Sequence, residues 1–242
     1  MQYVNKIRSF YKDIFSLDKD SHNISPVYVN RHKEKDFLIV GTGPSLKKNW
    51  KKIGELQTKY NLITMGANNI GDFIQPDYHC FTNKKRFINY SHTIGNKSKV
   101  LIGEHISIQV VKKHYGRYFE IIPYLNDHDA SFNIENGIIR ASCRTVGVLM
   151  IANAIVMGAR KIFVVGMDGY KDIINTGSEI HFYSEKNSTN DSQNDYFLTI
   201  DYYNNKFLNE IKFYLESNNR ESFSIVTPTT YQDNYCAIDQ FL

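Results

Sequence analysis

Seven short apolar runs, rich in β-branched and aromatic residues, recur along this chain: FLIVG (37–41), NLITM (61–65), YHCFT (78–82), VLIG (100–103), YFEII (118–122), KIFVVG (161–166) and FSIVT (223–227). Helical patterns lie between them, at 46–58, 84–92, 106–115, 145–158 and 198–217. Strands separated by helices return parallel to one another. The alternation therefore predicts an α/β, Rossmann-like fold, a mostly parallel twisted sheet with helices on both faces. The segment 145–158 is apolar nearly all round, which places it in the centre of the fold. Residues 171–196 are polar, rich in Asn, Ser and Asp, and carry no sustained period, as expected of a long lid-like loop.

With 242 residues, the chain suits one sizeable α/β core with appendages. We expect a single domain over 37–242, with the lid at 171–196, preceded by a helical appendage at 1–36. In that appendage Val4, Ile7, Phe10, Tyr11, Ile14 and Phe15 fall near one helical face. The net charge of +4 is mild and scattered, and by itself it selects no partner among small anions, membrane surfaces and RNA. Cys80, Cys143 and Cys236 lie far apart without CxxC spacing, which argues against a zinc site or a disulfide framework and for reduced thiols in the cytoplasm. No run approaches the roughly 18 to 20 apolar residues of a membrane span.

In such sheets ligands gather beyond the carboxyl ends of the strands. The first run passes through Gly41-Thr42-Gly43-Pro44-Ser45 straight into a helix. A strand-to-helix turn of this kind sets unsatisfied backbone N–H groups at the sheet edge, an expected anion site. The motif lacks the GK[ST] of a Walker A loop, and Leu46 stands where a dinucleotide fingerprint needs its third glycine. The second run ends in Asn68-Asn69, the third in Asn83 followed by Lys84-Lys85-Arg86, and the sixth in Met167-Asp168-Gly169-Tyr170. A carboxamide both donates and accepts, which suits a nucleobase edge or a ribose hydroxyl. Singly each asparagine is ordinary turn chemistry. Asp168 suits a metal, an amine, a ribose or a cap, and no second carboxylate stands beside it in sequence.

This ordered set, completed by a Thr145-x-Gly147 start to an apolar helix and by KIFVVGMDGY (161–170), resembles the family 42 sialyltransferases of bacterial surface glycans. It also resembles the wider MptE-like group, which includes flagellin-modifying nonulosonate transferases and an archaeal pterin diphosphokinase. The resemblance spans roughly residues 37–230. It implies that Gly41, Gly43 and Ser45, with Thr42 between the glycines, cradle the phosphate of CMP, that Asn68 or Asn69, and Asn83, contact nucleotide and sugar, and that Arg144, Thr145 and Asp168 complete the nucleotide site. Tyr170 would help the phosphate leave, with Tyr183 from the lid beside it.

Two departures bear on the chemistry. Thr42 replaces the asparagine between the leading glycines, and DYFLTIDYYNNKF (195–207) lacks the family's general-base histidine, which sits shortly before the last long helix. Asp201, or His181 from the lid, would then act as the base. The resemblance implies a metal-independent glycosyltransferase that takes a CMP-linked, sialic-acid-like sugar to a surface glycan such as lipopolysaccharide or capsule. No cofactor would be required and no nucleic acid bound. The expected location is cytoplasmic, with peripheral contact at the inner face of the membrane and homo-oligomer formation both left open. The alternatives are an MptE-like diphosphokinase using ATP and Mg, with Asp168 on the metal, and a non-catalytic nucleotide-binding module of a glycan-assembly protein.

Overall fold

A computed structural model describes residues 29–127, 130–171, 174, 181–182 and 191–242. The amphipathic start of the chain, Tyr183 and most of the expected lid lie outside them. All seven predicted strands form one sheet: β1 (Phe37–Val40), β2 (Ile63–Ala67), β3 (Tyr78–Phe81), β4 (Lys99–Ile102), β5 (Phe119–Ile121), β9 (Ile162–Val165) and β10 (Phe223–Ile225). Their order is β10-β9-β1-β2-β3-β4-β5, and every pairing is parallel.

The central strands have no solvent face, which is why they read as continuous apolar runs. In β1, Phe37 and Ile39 pack with the buried helix Val146–Val156, while Leu38 and Val40 pack on the other face with Ile53 and Leu56 of helix Trp50–Tyr60. We label the helices α1 (Ser45–Lys48), α2 (Trp50–Tyr60), α3 (Lys84–Tyr90), α4 (Ile108–His114), α5 (Val146–Val156) and α6 (Asp191–Ser217). Every residue of α5 from Gly147 onward is buried, as its unbroken apolar sequence requires. A third cluster, around Phe81, Phe87, Val100 and Val111, seats α3 and α4 on the outer strands.

Three features depart from the sequence expectation. The helix expected at 46–58 is broken at Asn49 into α1 and α2. The last long helix begins at Asp191 instead of 198, so the end of the expected lid is helical; few apolar residues in that turn signalled it. A second, small sheet, β6 (Tyr124–Asn126), β8 (Ile138–Ala141) and β7 (Asn133–Glu135), was not anticipated. Its strands are short and half-exposed, but its hairpin turn is the Asn136-Gly137 pair, both with left-handed backbone, which is a strong hairpin signal. Residues 29–36 of the expected helical appendage are instead a run of turns, docked through backbone bonds from Asn30, His32 and Glu34 to the carbonyls of Val156, Met157 and Gly158.

The loops leaving β1 and β9 are pressed together. A Cβ on Gly41 would lie 2.3 Å from the carbonyl oxygen of Gly166, which itself has φ +65°. We therefore expect Gly41→Ala to destabilise the fold by about 1–3 kcal/mol through overpacking against backbone. Gly54 in α2 faces open space, so Gly54→Ala should stabilise by up to about 1 kcal/mol through helix propensity. Denaturant titration of the two variants reads both, and equal effects would contradict the packing assignment.

Candidate active site

Connectivity fixes where the site lies. From β1 the chain steps outward through β2, β3, β4 and β5, then returns to β1's other flank as β9. The crevice beyond the carboxyl ends of β1 and β9 is the switch point at which open α/β sheets bind ligands. A cavity of about 540 Å³ opens there, lined by the ends of β1, β2, β3 and β9, the start of α5 and the first turns of α6.

The glycine turn behaves differently from its sequence expectation. Gly41 N donates to Val165 O and Gly43 N to Gly166 O, both at 2.8 Å. Ser45 donates its N–H (2.7 Å) and its hydroxyl (2.5 Å) to the two oxygens of Asp168. These amides are thus satisfied inside the protein, and the carboxylate of Asp168 takes the anion position at the head of the turn. Burial pushes the Asp168 carboxyl above its usual range, against the opposing pull of the Ser45 bonds and Lys48. Gly41, Thr42, Gly43 and Asp168 still line the cavity, whereas Ser45 lies behind them.

Free donors are found at the start of α5. Thr145 has the extended backbone of an N-cap, yet its side chain makes no cap bond. The amides of Val146, Gly147 and Val148 accordingly have no partner among the described residues, and Thr145, Val146 and Gly147 line the cavity. Such a helix start carries partial positive charge and pointing N–H groups. Arg144, just ahead of it, lies with its guanidinium 4.6 Å above the Tyr203 ring, and Arg86 contributes a second cation to the lining.

Of the asparagines, Asn68 and Asn83 reach the cavity and Asn69 does not. Asn68 adopts the left-handed conformation (φ 53°), and its carbonyl is held by Nε2 of buried His79 at 2.7 Å. Asn83 caps α3, its Oδ1 accepting from Arg86 N at 3.1 Å. Asn69 instead keeps a buried Oδ1 without a hydrogen-bond partner among the described residues.

His181 and Phe182 lie against the glycine turn. Phe182 N donates to Thr42 O at 2.9 Å, and its ring is buried beside Phe73 and Lys47. His181 Nδ1 lies 3.0 Å from Thr42 Oγ1 and Nε2 lies 3.4 Å from Arg86 Nη2. A guanidinium only donates, so Nε2 presents its lone pair and the ring proton sits on Nδ1, towards Thr42. Burial, and secondarily the Arg86 charge, lower the His181 pKa to about 4. The imidazole is therefore neutral near pH 7. His181 stands ten residues before the start of α6 at Asp191.

Tyr170 lines the cavity and stacks on Phe197, the ring centroids 4.9 Å apart. Asp201 lies outside the lining. Its Oδ2 accepts from the amides of Tyr170 and Lys171, each at 2.8 Å, and its Oδ1 accepts from the Tyr231 hydroxyl at 2.6 Å. This carboxylate holds the loop after β9. Sequence reasoning passed over Arg86, although its basic triplet was visible, and missed Tyr196, Phe197, Asn204 and Tyr231, which also line the cavity. The last two come from a helix interior and a C-terminal loop, and only folding brings them to this edge. Among the described residues, no group of three or more His, Cys, Asp and Glu side chains is placed to hold a metal ion.

Comparison with known proteins agrees with this architecture. A solved structure of a sialyltransferase CST-II variant in complex with CMP has a TM-score of 0.50 to this chain at 16% sequence identity, covering 85% of this chain and 86% of the other. The sialyltransferase CstII from Campylobacter jejuni, in complex with cytidine-5'-monophosphate, has a TM-score of 0.49 at 16% identity, covering 90% and 86%. No curated protein matches the sequence. The family model described as 6-hydroxymethylpterin diphosphokinase MptE-like matches residues 8–172, more than half of the chain. The Rossmann-like sheet, its switch-point cavity and this match together identify the chain as a member of the MptE-like family.

Proposed function

We propose that this protein is a glycosyltransferase that moves a sugar from a nucleotide-activated donor, CMP-linked and sialic-acid-like, to a glycan acceptor in bacterial surface-glycan synthesis. The observation that carries this reading is the composition of the switch-point cavity: an uncapped helix start with Arg144 just ahead of it, and a neutral histidine whose Nε2 faces Arg86. The fold shared with a sialyltransferase that binds CMP supports the choice of nucleotide. No described helix is long and apolar enough to cross a membrane.

In this reading the donor phosphate sits at the start of α5 with Arg144 beside it, where fixed dipoles and a cation stabilise charge without reorganising. Asn68 and Asn83 offer carboxamides to the nucleoside. Once Arg86 turns from it to the donor phosphate, His181 Nε2 takes the proton of the acceptor hydroxyl as its oxygen bonds to the sugar carbon, and the sugar–phosphate bond breaks with its electrons going to the phosphate. The Tyr170 hydroxyl donates to that leaving group. Asp201 acts through the loop it holds. The acceptor in the same proposal is a glycan.

The family description favours a second reading, an ATP- and Mg-dependent diphosphokinase. Among the described residues Asp168 is the one acidic residue in the cavity lining, and Ser45 already engages both of its oxygens. Magnesium is usually held by one or two carboxylates with substrate phosphates, so these residues fit the ion poorly.

Thermal-shift titration with CMP, CDP, UDP and ATP, with and without magnesium, separates the readings. We expect CMP or CDP to raise the melting temperature without metal. A shift confined to ATP with magnesium favours the diphosphokinase, and no shift with any nucleotide favours a non-catalytic module. The histidine assignment makes a pH prediction as well. His181 and His79 both have folded pKa values of about 4, below their ordinary 6.5, because burial disfavours the charged ring. The unfolded chain binds more protons between those values, so stability should be complete above about 6.5 and fall as pH drops towards about 4. His181→Gln should lose less over that window, and should remove the acid limb of kcat/KM near pH 4. An unchanged limb would move the base role elsewhere.

A further inference from the structure

Thr145 occupies an N-cap position without capping, and a buried chain of hydrogen bonds accounts for that. Asp201, as a carboxylate, can only accept. Its Oδ1 therefore takes the single proton of the Tyr231 hydroxyl, at 2.6 Å. The Tyr231 oxygen must then accept from its other neighbour, which obliges Asn204 to present Nδ2 to it, at 3.1 Å. That orientation turns Asn204 Oδ1 towards Thr145, whose hydroxyl donates to it at 3.1 Å. Each partner's role follows from the one before. Asn204 and Tyr231 are almost fully buried, and burial raises the Tyr231 pKa, which keeps its proton in place.

Threonine is a preferred N-cap because its oxygen accepts from the second or third amide of the helix. Here that oxygen is drawn aside. We infer that Asn204 is a positioning residue: oriented by Tyr231 and Asp201, it withholds the Thr145 hydroxyl from α5 and so keeps the first amides of the helix open to the cavity. The same carboxylate grips the amides of Tyr170 and Lys171, so one buried group sets both the anion-binding and the leaving-group sides of the cavity. The ligand part of this inference rests on the nucleotide reading above; the withheld cap does not.

The test uses the full chain, amide hydrogen exchange by NMR, and CMP as the probe. In the native chain without CMP the Val148 amide should exchange as a free helix-start amide. In Asn204→Ala, where truncation only widens the existing cavity, the released hydroxyl should cap the helix and slow Val148 exchange by about fivefold, the worth of one cap. In Asn204→Ala/Thr145→Val the protection should vanish again. CMP affinity should fall about fivefold or more in Asn204→Ala and recover in the double variant. A general loss of structure would not recover in this way. Val148 already protected in the native chain, or exchange and CMP affinity unchanged in Asn204→Ala, overturns the inference; the first measurement needs no variant. If the exchange pattern holds while CMP binds no form of the protein, the withheld cap stands and the nucleotide reading fails.

Discussion

The contact between the loops leaving β1 and β9 governs the rest of this molecule. The carbonyl oxygen of Gly166 lies where a side chain on residue 41 would begin, and Asp168 lies where one on residue 43 would begin. Two glycines therefore permit the two carboxyl ends to meet, and the Asp168 carboxylate locks them through Ser45. Because β1 and β9 flank the topological switch, this lock also forms the floor of the cavity. A motif that looks like a phosphate cradle serves here as a joint between strands.

With this joint in place, open amides lie on another element. The amides of Gly41, Gly43 and Ser45 are spent on Val165, Gly166 and Asp168, and the start of α5 offers unsatisfied donors among the described residues. α5 is buried from Gly147 onward, and its N-terminus opens into the cavity, where its partial positive charge faces whatever the cavity holds. Buried polar groups then divide the work. Asp201, Tyr231 and Asn204 shape the side next to α5 and the Tyr170 loop, while Thr42 and Arg86 set the tautomer of His181 across from it.

Much of the sheet was legible before folding. A fully buried parallel strand must be apolar on both faces, so central strands such as β1 and β9 announced themselves as continuous runs, and the helix at 145–158 did so for the same reason. The small sheet escaped because its strands are three or four residues long and half-exposed, leaving only Asn136-Gly137 as a signal. At the site, residues just after strands were found by position: Thr42, Asn68, Asn83, Asp168 and Tyr170 all line the cavity. Arg86, Asn204 and Tyr231 sit inside helices or in a late loop, where nothing local marks them out.

The sequence by itself determined the alternation of strands and helices, and hence the edge of the sheet at which a ligand can bind, because periodicity and burial are local properties of the chain. Tertiary structure decided which polar atoms at that edge remain available. Whether an amide, a carboxylate or an imidazole faces the cavity depends on partners far away in sequence: Asp168 for Ser45, Tyr231 for Asp201, Arg86 for His181. A buried polar group is satisfied by whichever neighbour folding brings to it, and no local pattern records that neighbour.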